Sequence, residues 1–557
     1  MDYKKLADLL FPHITLTTEE IEKKYPKREL QEGQVVSRYA PSPTGYMHAG
    51  NFFQMFISYN LAKQTNGVFF VRVEDTDEKR RVKGALEVIY EILEKFNINI
   101  DEYQTLDGTD IGSYGPYVQS QRSEIYGAYA KKLVAEGKAF PCFCKKTEGK
   151  EDVLELRKDK FLEDDEKEYD PCRDLPLEVV EEKLKNGEQF AIRLKTKNDG
   201  SQRVKFYDLI KGEIEAKANA KDFILLKTDG IPPYAFAHAI DDTLMGTTLV
   251  VRGEEYISST PMHIELFEAL GFKLPIYCHN PLICKIGENG NRRKISKRYD
   301  PEADMRFYFE EGYPCVVLQE YLLNLINSGF EAWREQNPEK SWQEFKFGIK
   351  DITTVAPIFD LVKFGNVSKN CIARMSANEV YEHVLEWASR KDEQLYNILA
   401  NNKDYAVKVF NIERENPKPR KDIEKWADIK QIYTYMFNDI HNKEESKKAL
   451  EEFVNGQVAP KNFNMADVNK ILSDYANSYN PSLDKQEWFN GIKEIAKNNG
   501  FADDNKLYKA NPEAFKGNYA DVAAIIRVAI TGRTQSLDLY EICQTLGKDR
   551  ILERISC

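Results

Sequence analysis

The chain has 557 residues, of which 42% are hydrophobic and 30% charged. At about 100–200 residues per domain this length predicts several domains, with enough apolar material for real cores. The formal net charge of -11 argues weakly against a protein that coats nucleic acid through bulk charge, and not against one that carries a local basic surface.

In chain order, residues 1–33 read as a helical preface. They lack the long apolar core and small-residue cleavage site of a secretory signal. A strand follows from Gln34 to Ala40, ended by Pro41 and Pro43, which supply no ladder donor. Gly45 lets the chain turn. His48 to Thr65 has helical spacing of Phe52, Phe53, Phe56 and Leu61, and Gly67 to Val73 is a β-rich run. Strand, helix, strand is a βαβ unit, so a parallel sheet is expected. About a hundred residues of different character come next, with Cys142-Phe143-Cys144 and an acidic run at 163–168. A second α/β segment spans Phe223 to Leu270: strands at Ile224–Leu226 and Thr248–Val251, and a helix at Pro261–Ala269 with Ser259 or Thr260 as N-cap. The middle block therefore reads as a domain inserted into a nucleotide-binding fold. After Pro301 helices dominate, with amphipathic stretches at Ala377–Ala388 and Ala520–Ile530. No stretch reads as a membrane span. Nine scattered cysteines fit a reducing compartment better than a disulfide scaffold.

Two stretches carry chemistry. Arg38 to Asn51 sits where a strand gives way to a helix, whose N-terminal N–H groups attract anions. Gly45 and Gly50 permit close approach, and His48 can donate to a phosphate oxygen without a full charge. Read alone, His-x-Gly is more often a tight turn with a capping histidine. The second stretch, Asn291 to Arg298, packs Arg292, Arg293, Lys294, Lys297 and Arg298 behind the flexible approach Gly287–Gly290. A mobile loop delivering lysines suits charge neutralisation on a phosphate leaving group; a solvated basic loop is an equal reading for it alone.

Taken together, the Pro-x-Pro-Thr-Gly-x-x-His-x-Gly-Asn turn and the Lys294-Ile295-Ser296-Lys297-Arg298 loop resemble the two signatures of class I aminoacyl-tRNA synthetases. Ser37 to Gly45, Arg72 to Asp77 and Val251 to Glu255 narrow the resemblance to glutamyl-tRNA synthetases, in good register from about residue 34 to 380. The resemblance implies a split Rossmann-like α/β catalytic domain with an inserted α/β domain, followed by all-α C-terminal domains. Its boundaries are an extension 1–33, catalytic halves 34–115 and 226–300, an acceptor-end insertion 116–225, a helical stem-contact domain 301–380 and an anticodon-binding region 381–557.

It further implies glutamate binding by Arg38, Ala40, Ser42, Glu74, Tyr234, His238 and Arg252, with the arginines on the side-chain carboxylate and Glu74 on the ammonium. A guanidinium suits a planar anion. ATP falls to His48, Gly50, Asn51, Glu255, Leu282, Ile283, Lys294, Ser296 and Lys297, with His48, Asn51, Lys294 and Lys297 acting on the phosphates and Mg²⁺ sharing their charge. The implied partners are L-glutamate, ATP and tRNA(Glu), in a cytoplasmic monomer without membrane contact.

Three departures matter. Ala49 stands where the family has a larger aliphatic residue. His238 stands where many bacterial glutamate enzymes carry asparagine, and is reminiscent of glutamine enzymes, so a glutaminyl-tRNA synthetase or a relaxed enzyme that also charges tRNA(Gln) is the nearest alternative. A noncatalytic RNA-binding paralogue is a remote one, since both signatures are intact. Cys142, Cys144, Tyr169 and Cys172 resemble a zinc knuckle that some members carry and others have lost. Cys278, His279 and Cys284, which have no knuckle spacing, read as core.

Overall fold

A computed structural model describes residues 1–77, 80–144 and 170–555; the acidic run 163–168 and Tyr169 lie outside them. The chain divides into two compact units, Met1–Phe307 with Gln319–Asp360, and Tyr308–Leu318 with Leu361–Cys557.

In the first unit, the wholly buried strand Val36–Tyr39 pairs in parallel with Val68–Val71, Val36 opposite Val68 and Tyr39 opposite Val71. Burial on both faces accounts for its lack of polar alternation. The helix Ala49–Gln64 makes the crossover, driving Phe52, Phe53, Phe56 and Ile57 into the core. A second parallel pair, Leu249–Gly253 with Ile276–Asn280, is joined by the helix Thr260–Leu270, which ends on left-handed Gly271. The two pairs meet where the Thr248 N–H donates to the Val36 carbonyl at 3.0 Å. This is the split α/β domain expected from sequence.

The helix Thr260–Leu270 lacks the side-chain cap the sequence suggested. The Ser259 and Thr260 hydroxyls donate instead to the Tyr256 carbonyl, each at 3.0 Å, because a 3₁₀ segment, Glu254–Ser259, feeds straight into the helix.

The intervening region folds as a three-stranded antiparallel sheet, ordered Ala139–Cys142, Ala191–Leu194, Ile224–Leu226. A hairpin, Arg203–Asp208 with Gly212–Lys217, reaches back to the catalytic sheet, Asp208 lying opposite Tyr277. The N-terminal preface forms two helices, Tyr3–Leu10 capped by Asp2 and Thr18–Lys24 closed by a Thr17/Glu20 capping box. Leu6, Leu10 and Ile21 share a core with Tyr126 and Leu133 of the helix Ser123–Ala135. Arg28 clamps Glu102 through both terminal nitrogens, at 2.8 and 2.6 Å.

The second unit is helical. Capping boxes at Ser376, Asn464, Asp484 and Asn518 start its helices, and their apolar faces close one core around Val384, Phe410, Ile471, Ile526 and Ile542. Among the described residues no helix is long and apolar enough to cross a membrane.

Candidate active site

The carboxyl ends of the parallel strands bear two cavities, of 430 and 260 Å³, both lined by Glu255. Crevices at strand carboxyl ends are the usual ligand site of open α/β sheets. Ser42, Glu74 and Tyr234 line the larger with Gln119, Tyr256 and His263; His48, Gly50, Asn51, Leu282, Ile283 and Lys294 line the smaller. Of the sequence-derived sets, Ser42, Glu74 and Tyr234 thus face one space and His48, Gly50, Asn51, Leu282, Ile283 and Lys294 the other.

His48 caps the helix Ala49–Gln64, its Nδ1 accepting the Gly50 N–H at 2.9 Å. That fixes the proton on Nε2. Burial, then Lys297 and Lys294, lowers its pKa to about 4, so it is a neutral donor at physiological pH. The basic stretch forms a hairpin, Cys284–Ile286 with Arg292–Lys294, rather than the open loop expected from sequence. Buried Asp300 explains the difference. It accepts both terminal nitrogens of Arg293 at 2.6 Å and the Ser296 N–H at 2.9 Å. Lys294 lies 3.8 Å from Glu255. Lys297, half-exposed, donates to the Tyr46 carbonyl and lies 3.9 Å from Asp304.

Arg38, His238 and Arg252 are not among the residues lining either cavity, although His263, which Arg252 contacts, lines the larger. Arg38 donates from Nε to both oxygens of Asp242 at 3.1 Å, and Ala40, the residue after the strand, is half-buried. Arg72, fully buried, bonds Asp242 at 2.6 Å and Glu74 at 3.1 Å. Burial would raise the Asp242 pKa, but Arg38, Arg72 and His238 outweigh it and hold the carboxyl well below its usual range. His238 stacks on Tyr234, with centroids 5.3 Å apart, and its Nδ1 lies 2.6 Å from Asp242. Burial keeps this ring neutral, with a pKa of about 4.

Arg252 differs. It is 4% exposed, and its Nε, Nη1 and Nη2 meet His279 Nε2 at 2.9 Å, His263 Nδ1 at 3.0 Å and Thr260 Oγ1 at 2.9 Å. Its guanidinium stacks 4.4 Å from the Tyr277 ring centroid and 5.3 Å from that of Tyr256. Among the described residues no carboxylate lies within ion-pair distance of it. Sequence reasoning missed Asp242, Asp208, His263 and Tyr256, and took His279 for core; Asp242 meets Arg38 across 204 positions and Asp208 meets His279 across 71.

A third cluster lies in the inserted region. One ligand atom each from Cys142, Cys144, Asp170 and Cys172 falls within 4.8 Å of the others. Cys142 donates to Asp170 at 2.8 Å, and Arg193 Nε lies 3.0 Å from the same oxygen. Burial and that hydrogen bond push the Cys142 thiol up to about 12. Three thiols and a carboxylate converging on one point form a donor set that can hold a divalent cation. The fourth position here is Asp170; Tyr169 is outside the described residues.

The family described as tRNA synthetases class I (E and Q), catalytic domain, matches residues 34–337, and an anticodon binding domain matches residues 505–557. A glutamate--tRNA ligase of Clostridium perfringens (strain 13 / Type A) is 41% identical over 560 aligned residues, covering 100% of both chains. One from Fusobacterium nucleatum subsp. nucleatum is 33% identical over 94% of this chain and 96% of its own. The crystal structure of a glutamate tRNA ligase from Elizabethkingia meningosepticum shares the fold, with a TM-score of 0.70 at 24% identity over 94% of this chain and 98% of that one. Fold and site together define a class I tRNA synthetase. Within that class, the chain belongs to the glutamate--tRNA ligase family.

Proposed function

We propose that the chain condenses L-glutamate with ATP to glutamyl-adenylate in the two adjoining cavities, then transfers glutamate to the terminal ribose of tRNA(Glu). The observation that carries this reading is Arg252, a buried guanidinium surrounded by neutral acceptors. An uncompensated buried charge costs several kcal/mol, so the site favours an anionic ligand, and a glutamate carboxylate supplies one. Glu74, whose pKa burial raises despite Arg72 and Arg38, is the acceptor for the α-ammonium, with Ser42 and Tyr234 beside it. Arg38 serves less as a direct ligand than as the cation that neutralises Asp242.

ATP takes the smaller cavity, with adenosine against Leu282, Ile283 and Glu255. His48 Nε2–H and the Asn51 side chain, at the positive end of the helix Ala49–Gln64, meet the phosphates. Lys294, Lys297 and the adjacent Ser296 come from the pinned hairpin and turn. The residues thus orient the carboxylate against the α-phosphate and neutralise departing pyrophosphate, without a protein nucleophile. Mg²⁺, when bound, shares the phosphate charge. Cys142, Cys144, Asp170 and Cys172 would hold Zn²⁺, which would supply structural cross-linking of the inserted region. The anticodon-binding match at residues 505–557 supports RNA recognition by the helical half, in a cytoplasmic, monomeric enzyme.

The test is aminoacylation by purified protein, with labelled glutamate or glutamine and separate tRNA(Glu) and tRNA(Gln). Charging of tRNA(Glu) with glutamate alone is expected. Glutamate on tRNA(Gln) as well would make the enzyme relaxed; activation of glutamine only would overturn the reading.

A further inference from the structure

Asp208 closes the hairpin strand that the inserted region lends to the catalytic sheet, and it is fully buried. Four donors converge on its carboxylate. Oδ1 takes the N–H groups of Ile210 and Lys211, both at 2.9 Å, while Oδ2 takes the His279 N–H at 2.9 Å and His279 Nδ1 at 2.7 Å. A carboxylate so placed accepts only, so the His279 proton sits on Nδ1 and the Nε2 lone pair faces outward. Arg252 Nε–H donates to that lone pair at 2.9 Å.

We propose that Asp208 and His279 are a positioning couple for Arg252, setting its guanidinium for a substrate carboxylate and against a carboxamide. This rests on the reading that Arg252 receives the glutamate carboxylate. The imidazole is a neutral spacer: it transmits orientation from Asp208 while keeping the Asp208 charge from neutralising Arg252. Arg38 and Arg72 show the alternative, each lying directly on Asp242. His263 offers Arg252 a second ring nitrogen, its Nδ1 lying 3.0 Å from Nη1. Burial, with the neighbouring Arg252 cation, keeps both His263 and His279 in the neutral form this geometry needs. Arg252 Nε is thereby saturated by an uncharged acceptor, and each terminal nitrogen keeps one N–H beyond its single bond to His263 or Thr260. Two parallel N–H groups match a carboxylate; a carboxamide presents one acceptor and one donor.

Replacing the carboxylate by an amide removes the constraint. In Asp208→Asn, His279 can adopt the other tautomer, which sets Nε2–H against the Arg252 Nε–H, donor against donor. The expected result is a KM for glutamate raised about tenfold or more, the scale of a hydrogen bond to a charged group, with the KM for ATP within twofold and a narrower preference for glutamate over glutamine. A second variant guards against a folding defect. His279→Gln offers an amide oxygen to Arg252 without needing Asp208 to fix a tautomer, so adding Asp208→Asn to it should raise the glutamate KM no further. Additive effects in the double variant, or equal rises in both KM values, would overturn the couple. Arg252→Gln separates the two readings. If it leaves the glutamate KM unchanged, the carboxylate reading fails. If it raises that KM while Asp208→Asn does not, only the positioning role fails.

Discussion

At the scale of single residues, Gly253 shows how small groups position large ones. Its φ of -65° is open to any residue, so conformation does not require glycine there. Space does: a Cβ would fall 1.9 Å from Glu255 Oε2 and 2.9 Å from Gln54 Nε2. The obstructing atom is the end of a flexible side chain, so Gly253→Ala should displace Glu255 rather than unfold the sheet. Glu255 Oε2 is buried and has no hydrogen-bond partner among the described residues, and the proposed reading gives it a donor from the nucleoside. The melting temperature should shift little, while the KM for ATP rises about tenfold from the lost charged hydrogen bond; titrating ATP at saturating glutamate reads this directly. The glycine was visible in sequence as part of Val251 to Glu255, but its reason was not. The same limit hid the Asp242 partner of Arg38, 204 positions away, and the Asp208 partner of His279, 71 positions away. Local turn chemistry announces His48 and Gly50, whereas a buried carboxylate brought in from a distant element leaves no local trace.

At the scale of elements, the basic hairpin is held by two buried acids, Asp300 on Arg293 and Glu302 on Lys285. Arg293 first, and the Ser296 N–H with it, draws the Asp300 pKa down to about 2, against the effect of burial. A carboxyl lowered below its unfolded value stabilises the element above that value, and the contribution is lost as pH falls through 2. It is fully present at neutral pH. Asp300→Asn keeps the shape but drops the charge on Arg293, and it frees the turn that carries Lys297. Adenylate formation should slow by up to about a hundredfold, the cost of an ångström-scale misplacement, with glutamate binding unchanged; pyrophosphate exchange in the presence of tRNA measures it. The composition of this stretch was legible as phosphate chemistry, but its pinning was not, because one aspartate beside five cations reads as an incidental countercharge. The metal group behaves likewise. Three of its members were evident from Cys-x-Cys and a later cysteine, whereas Asp170 emerges only from the fold. About one zinc per chain is expected from elemental analysis, falling in Asp170→Ala, and a chelator should lower the melting temperature. Protein without metal, and melting unmoved by chelator, would remove zinc from the insertion.

At the scale of the whole molecule, chain order and compact units do not coincide. The shift in composition from α/β to helical falls near residue 300, and the family resemblance implied a further boundary near 380. The chain enters the second compact unit at Tyr308, leaves it at Leu318, and returns at Leu361. Tyr308 and Tyr313 account for this detour, because both pack edge-on against Phe364, with centroids 5.5 and 4.9 Å apart. The Tyr313 hydroxyl donates to Glu424 at 3.2 Å, and the Gly312 carbonyl accepts the Trp426 N–H at 2.9 Å. No single cut therefore yields a clean first unit. A fragment of residues 1–360 retains 308–318 and strips those partners away, uncovering two tyrosines that are 1% and 8% exposed in the full chain. Each buried aromatic contributes about 1.5–3 kcal/mol relative to exposure, and an uncovered apolar patch invites association. The fragment should self-associate on size-exclusion chromatography, and Tyr308→Ser with Tyr313→Ser should restore the monomer by removing the exposed surface. A fragment that is monomeric without those substitutions would mean that 308–318 finds other cover in the first unit, and that its membership of the helical unit is weaker than its aromatic contacts imply.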